Sequence, residues 1–175
     1  IVFGDWSSDV CSSDLGIEID CDARGNPVLR SEDSRHFPFR LGAMHWLPCL
    51  DDPGCTDDRA GQEFLGMVER FLRHGFTARA HPFRVFRRAR RPIPAGIIEP
   101  TVRLLRAAET AAEINFHTNE PPLELVQACL RHGVPMTFGS DAHNLYEVGE
   151  FAPHLDLLRA AGIDGDPGGA LLSIA

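Results

Sequence analysis

Short apolar segments alternate with segments of helical periodicity along most of the chain. The helical segments carry apolar residues three and four positions apart, and three of them stop at a glycine, as helices commonly do. The predicted helices span 64–72, 97–108, 123–130 and 155–161. The predicted strands span 17–21, 39–47, 76–80, 111–116, 134–139 and 171–174. Strands and helices in alternation predict an α/β domain built on a parallel sheet or barrel, with any active site at the carboxyl ends of the strands.

Length and composition narrow the class of protein. The 175 residues fit one domain with its own core, and no apolar run approaches the ~20 residues that cross a bilayer, so we expect no membrane partner. The formal net charge of −8 repels phosphate backbones, which argues against a nucleic-acid partner except as a small substrate. Five cysteines are odd in number and form no Cys-x-x-Cys pair, so we expect reduced thiols and a cytoplasmic location.

The absence of lysine excludes several kinds of catalytic and phosphate-binding site. All 17 basic residues are arginine, so the chain cannot form a Walker-type phosphate loop, a lysine Schiff base or a kinase-type β3 lysine. It also has no Gly-x-Ser-x-Gly elbow, which makes a serine hydrolase of the α/β-hydrolase kind a poor fit.

The first fifteen residues differ in composition from the rest of the chain. They hold four of the eight serines and no arginine, and the arginine-rich composition begins after Gly16. The segment WSSDVCSSDL resembles the translation of sequencing-adapter reads joined to truncated gene models. The alternative is a natural polar lead-in loop. We expect residues 1–15 to be non-native or disordered, and residues 16–175 to form the domain.

Histidine and acidic residues recur at the ends of the predicted strands. Strand ends on a common face converge in space, and imidazole nitrogens with carboxylate oxygens are the ligands that Zn, Mn or Fe ions require. One histidine at a strand end is more often structural, but several at one edge favour a metal site. The candidates are Glu18, His45, His81, Glu113, Asp141 and His143. The histidines predicted to have only structural or surface roles are His36, His74, His117, His132 and His154.

Five short segments carry a resemblance to a known family. In chain order they are Gly16-Ile17-Glu18-Ile19-Asp20, Gly42-Ala43-Met44-His45, Ala80-His81-Pro82, Glu113-Ile114-Asn115 and Gly139-Ser140-Asp141-Ala142-His143. They resemble motifs of the PHP-type metal-dependent phosphoesterases, and within them the histidinol-phosphatase-like branch. The resemblance extends from Gly16 to about Ile163.

The resemblance implies a distorted (β/α)7 TIM-like barrel with up to three divalent ions, Zn, Mn or Fe. Glu18, His45 and His81 would form one site, Glu18 and Asp141 would contribute to a second, and His143 to a third. Glu113 would shape the pocket rather than ligate. The family opens with a strand ending in His-x-His and a further histidine, and nothing after Gly16 corresponds to them. We therefore expect an incomplete barrel that lacks its first βα units.

The function implied is metal-dependent hydrolysis of a small phosphate monoester. Asp141 and His143 would be catalytic, and Arg84, Arg87 and Arg88 follow His81 closely enough to bind the substrate phosphate. The alternatives are a PHP nuclease, a metal-dependent amidohydrolase, and an inactive fragment. The chain as given is expected to bind about one metal ion at most and to have little activity. The residues after His45 depart from the family pattern, which leaves the ester open.

Overall fold

A computed structural model describes residues 16–34 and 36–173. Residues 1–15, which we predicted to be non-native or disordered, lie outside the described residues. The described residues form a five-stranded sheet in which all neighbouring strands are parallel and the spatial order is the chain order. The strands are β1 (Gly16–Asp20), β2 (Phe39–Ala43), β3 (Ala78–Arg79), β4 (Ala111–Asn115) and β5 (Met136–Gly139). In such a sheet every strand ends at the same edge, which is where a site is expected.

Helices connect the successive strands, and one further helix follows β5. They are α1 (Ser31–Ser34), α2 (Asp57–Leu72), α3 (Arg84–Arg88), α4 (Ile98–Ala107), α5 (Leu123–His132) and α6 (Ala152–Ala160), with 3-10 turns at Pro48–Asp51 and Pro167–Ala170. α2 begins after Thr56, whose hydroxyl accepts a hydrogen bond from the Arg59 amide at 3.2 Å and so satisfies one free N–H group. α5 ends at Gly133 with a φ of 62°, a left-handed conformation that glycine adopts without a steric penalty.

The core lies between the sheet and these helices. Phe64, Phe71 and Phe76 are almost completely buried in it, and the rings of Phe71 and Phe76 lie with centroids 4.3 Å apart. Gly42 in β2 makes this contact possible, because a Cβ there would lie 2.9 Å from both rings. The carboxyl edge of the sheet, where a site is expected, is therefore supported by a well-packed core.

The first five predicted strands are present, although β3 has only two residues. The prediction of a sixth strand at 171–174 was wrong for residues 171–173, which are the described part of that range. Leu171 makes a single parallel bridge with Met136 after a 3-10 turn, while Ile174 lies outside the described residues. The helix predicted at 155–161 begins earlier, at Ala152, and α3 was missed.

The α/β class with a parallel sheet is as predicted, whereas a closed barrel is not seen. Within residues 16–34 and 36–173 the sheet is open, with β1 and β5 at its two edges, which is consistent with part of a TIM-like fold. No helix in this part of the chain is long and apolar enough to cross a membrane.

Candidate metal centre

Three of the predicted ligands converge at the carboxyl edge of the sheet. Glu18 lies in β1, and His45 and His81 each stand two residues beyond the end of their strands, β2 and β3. His45 Nε2 lies 3.4 Å and His81 Nε2 3.7 Å from the same oxygen, Glu18 Oε1. One possible ligand atom from each residue lies within 4.8 Å of the other two. We call Glu18, His45 and His81 the inner group.

His81 is the member of the inner group that most needs a ligand. Its side chain is 0% exposed, and neither ring nitrogen has a hydrogen-bond partner among the described residues. Burial lowers the pKa of His81, so its ring is neutral and can offer a lone pair. The neighbouring His81 ring lowers the pKa of Glu18, which keeps the Glu18 carboxylate ionised. A buried imidazole without a partner fits a divalent ion at this position.

Asp20 orients the exposed side of the inner group. His45 Nδ1 donates to Asp20 Oδ2 at 3.1 Å, because a carboxylate can only accept, and His45 Nε2 is then the free nitrogen facing Glu18. Burial opposes ionisation of Asp20, but its hydrogen bonds with His45 and with the Cys21 amide hold its pKa below the ordinary value. We had not predicted a role for Asp20. The signal was present, since alternate residues of a strand share a face and Glu18 and Asp20 are two apart.

Glu113 supports the inner group through a hydrogen bond to the backbone of His81. Its Oε2 accepts the backbone N–H of His81 at 2.7 Å and the Asn115 amide at 3.3 Å. Burial raises the pKa of Glu113 to about 7. Gly139 in β5 makes room for this side chain, because a Cβ there would lie 2.7 Å from Glu113 Cδ.

A buried arginine also lies beneath this edge. Arg79 in β3 is 0% exposed, and its Nη1 donates to the carbonyls of Gly42 at 2.6 Å and Ala80 at 3.0 Å. Burial lowers the pKa of Arg79 to about 10, which is still far enough above neutrality to keep it charged. Its positive charge offsets the carboxylates of Glu18 and Glu113. No sequence pattern had indicated a buried charge at this position.

Asp141 stands next to the inner group but is held by an arginine. Arg84 Nη1 donates to Asp141 Oδ2 at 2.7 Å, and Arg84 Nη2 donates to Thr118 Oγ1 at 2.8 Å. Burial opposes ionisation of Asp141, but the hydrogen bond from Arg84 keeps its pKa below the ordinary value. Asp141, like His45 and His81, is two residues beyond a strand end, and its φ of 48° is left-handed.

His143 belongs to a second cluster rather than to the inner group. It groups with His117 and Glu147, and one possible ligand atom of each lies within 4.8 Å of the other two. We call His117, His143 and Glu147 the outer group. We had predicted no site role for His117 and had not singled out Glu147. For His117 a signal existed, since it too stands two residues beyond its strand, β4. Glu147 lies in a loop and carries no such signal.

The three arginines predicted to bind phosphate lie in different surroundings. Arg84 is buried against Asp141. Arg87 is exposed, donates to Glu120 at 2.9 Å and lines a separate cavity of about 660 Å³. Arg88 lines a cleft of about 170 Å³ together with His45, so of the three it is the one that shares a cleft with a member of the inner group.

A family model described as PHP-associated, PHP_C, matches residues 125–157. The matched segment runs from α5 into α6 and contains Asp141, His143 and Glu147. The match supports membership of the PHP family. Members of that family are generally metal-dependent hydrolases, and the two His/Glu groups described above could bind metal. No curated protein matches the chain.

Proposed function

We propose that this domain is a metal-dependent phosphoesterase that hydrolyses a small phosphate monoester, in the manner of the histidinol-phosphatase-like branch. The observation that carries the proposal is His81. Neither of its two buried ring nitrogens has a partner among the described residues. Nε2 lies 3.7 Å from Glu18 Oε1, and the centroid of the ring lies 4.9 Å from that of the His45 ring. A group that only filled the core would have these atoms hydrogen bonded.

The inner group has the donor set for a divalent ion. Glu18, His45 and His81 would hold it, with two nitrogens and one carboxylate, and would leave coordination positions open for water and substrate. Such an ion supplies Lewis-acid polarisation of a phosphoryl oxygen and of the attacking water. Asp20 keeps the proton on His45 Nδ1, so that Nε2 remains available to ligate.

Substrate binding is assigned to Arg88. Its guanidinium can donate two parallel hydrogen bonds to phosphate oxygens in the cleft that it shares with His45. The cleft of about 170 Å³ suits a small phosphorylated substrate, and the net charge of −8 disfavours a long nucleic acid.

Asp141 is assigned to orienting the attacking water. Its carboxylate is kept ionised by Arg84 and lies close enough to Glu18 for their charges to interact. One carboxylate oxygen, Oδ2, accepts from Arg84, so Oδ1 is free to accept from water. His143, in the outer group, is assigned the second catalytic role. Its Nε2 is the nitrogen available for it, because Nδ1 donates to the Asp141 carbonyl at 2.7 Å.

The test compares a generic aryl phosphate monoester with the matching diester, each with added Mn²⁺ or Zn²⁺. We expect faster turnover of the monoester, and a loss of at least ~100-fold in His81→Ala and Glu18→Gln, since even residues behind the ligands contribute 10–100-fold. His74→Ala is the matched control, because this exposed histidine lies away from the sheet edge that carries the site. Faster diester turnover would favour a nuclease, and no turnover above the protein-free rate would overturn the proposal.

A further inference from the structure

We infer that the cavity of about 660 Å³ that Arg87 lines is a binding site for a small acidic molecule with an apolar body, such as an aromatic carboxylate. Most of its lining residues lie between β3 and α4 or between β4 and α5. Its volume is in the range of small-molecule sites, roughly 300–1,000 Å³. The cavity is distinct from the cleft that Arg88 shares with His45, and the inference goes beyond the phosphatase activity proposed above.

Apolar side chains form much of the lining of the cavity. Phe83, Pro121 and Leu125 are buried, so the cavity is formed directly against the core. Ile93 and Phe116 also line it, and they pack against the core while staying partly exposed. A ring enclosed there removes apolar surface from water on both partners. The cavity therefore favours a ligand with an apolar body over a bare anion.

The charged part of the lining is mostly positive. Three arginines, Arg87, Arg90 and Arg91, stand against one acidic residue, Glu120, among the described lining residues. In a chain with a net charge of −8 this is a local excess of positive charge. Guanidinium N–H groups are strong donors to carboxylate and other oxyanions. The cavity therefore favours a ligand whose apolar body carries an oxyanion.

The backbone at the end of α3 places an arginine where glycine is usual. Arg90 has a φ of 55°, and its amide donates to the Arg87 carbonyl at 2.9 Å. The Arg91 amide donates to the Phe86 carbonyl, also at 2.9 Å. These two bonds form the Schellman motif that commonly ends a helix, with glycine at the left-handed position. An arginine there costs free energy that glycine would not, and a role in binding an anion accounts for it.

The three arginines differ in how freely they can contact a ligand. Arg91 Nη1 donates to the Cys55 carbonyl at 3.0 Å and Nη2 pairs with Asp57, so Arg91 contributes positive potential from a fixed position. Arg87 pairs with Glu120 at 2.9 Å, but both side chains are more than half exposed, and such a pair is weak enough to exchange for a bound anion. Arg87 and the exposed Arg90 are therefore assigned to direct contacts with the ligand.

The experiment measures the binding of 2-naphthoate to the whole chain by isothermal titration calorimetry with Zn²⁺ present. This acid has a two-ring apolar body and is not a phosphate ester, so no turnover takes place. We expect a dissociation constant below ~1 mM. Naphthalen-2-ylmethanol keeps the rings without the charge, and acetate keeps the charge without the rings. Each is expected to bind at least ~10-fold more weakly than 2-naphthoate.

Two variants of Arg90 test the assigned contact. Arg90→Gln removes the charge and is expected to weaken 2-naphthoate binding at least ~10-fold. Arg90→Gly is expected to weaken it as much while its Tm stays the same or rises, because glycine relieves the left-handed backbone. Arg106→Gln is the matched control and keeps wild-type affinity, since Arg106 is an exposed arginine in the last turn of α4. Circular dichroism checks that each variant folds.

A further variant separates the cavity from the metal centre. His81→Ala is expected to keep wild-type affinity for 2-naphthoate, because the ligand does not bind an ion of the inner group. The proposal is overturned if 2-naphthoate shows no saturable binding, if Arg90→Gln binds it with wild-type affinity, or if His81→Ala abolishes binding. Tighter binding of hexaglutamate than of 2-naphthoate would overturn it in favour of an acidic peptide. None of these outcomes depends on ester hydrolysis, so this inference and the proposed function fail separately.

Discussion

The inner and outer groups share an architecture but differ in their support. Each combines two histidines with a glutamate at the same edge of the sheet, and a histidine two residues beyond a strand end recurs in both. The inner group rests on buried or half-buried carboxylates, Asp20 behind His45 and Glu113 behind the His81 amide. The outer group is held by backbone atoms within its loops. The same ligands can therefore be expected to form a rigid site in one place and a looser one in the other.

The sharpest way to break the inner support is to fill the space that Gly139 leaves. In Gly139→Ala the new Cβ would lie 2.7 Å from Glu113 Cδ, and the buried Glu113 has no room to swing away without losing its hydrogen bond to His81. We expect the free energy of unfolding to fall by about 2–4 kcal/mol, measured by urea denaturation. Gly165→Ala is the control, because nothing lies within 4 Å of its Cβ position. Equal stability of the two variants would contradict this account of Glu113.

The difference in support predicts a difference in affinity. Because the ligands of the inner group are pre-positioned, we expect its ion to bind at least ~100-fold more tightly than the outer one, or about 2.7 kcal/mol. Stepwise removal of Zn²⁺ with chelators of increasing strength measures it, with His81→Ala and His117→Ala identifying each step. If the outer ion leaves last, pre-positioning by carboxylates does not control affinity here.

A smaller effect isolates one supporting carboxylate. Asp20→Asn keeps the shape of the side chain but weakens the hydrogen bond that holds the His45 tautomer. We expect inner-group affinity to fall by about 10–100-fold while the outer group is unchanged. Asp156→Asn is the matched control, since Asp156 is exposed on α6 and among the described residues forms an ion pair only with Arg159. The measurement is the same chelator competition, and a fall in the outer affinity would show that the two groups are coupled.

The sequence predicted the inner group more completely than the outer one for a physical reason. Apolar runs locate the strands, and a parallel sheet brings the strand ends together, so His45 and His81 follow from local pattern alone. Glu147 reaches its place through a loop whose path depends on tertiary contacts, and no period marks it. The pairing of Arg84 with Asp141 joins residues 57 positions apart and was equally hidden.

The prediction of secondary structure failed where the local sequence pattern was weak. α3 has only five residues in an arginine-rich run, too few for a helical period to be recognised. The run at 171–174 is apolar like a strand, but its described part makes a single bridge with Met136. Short apolar runs do not by themselves distinguish a strand from an irregular segment that packs on the core.

The smallest expected effect concerns the contact that joins the two regions. Arg84 holds Asp141, beside the inner group, and Thr118, next to His117 in the outer group, through two guanidinium nitrogens. Arg84→Lys keeps the charge, but an ammonium cannot make both contacts in the same geometry. We expect the free energy of unfolding to fall by about 1–2 kcal/mol and the outer affinity to fall more than the inner one, because Thr118 lies in the loop that carries His117. Arg87→Lys is the control, since its pair with Glu120 is exposed and worth little. If Arg84→Lys weakened the inner group more than the outer one, Asp141 would belong to the inner ligand set, and the separation of the two groups would have to be redrawn.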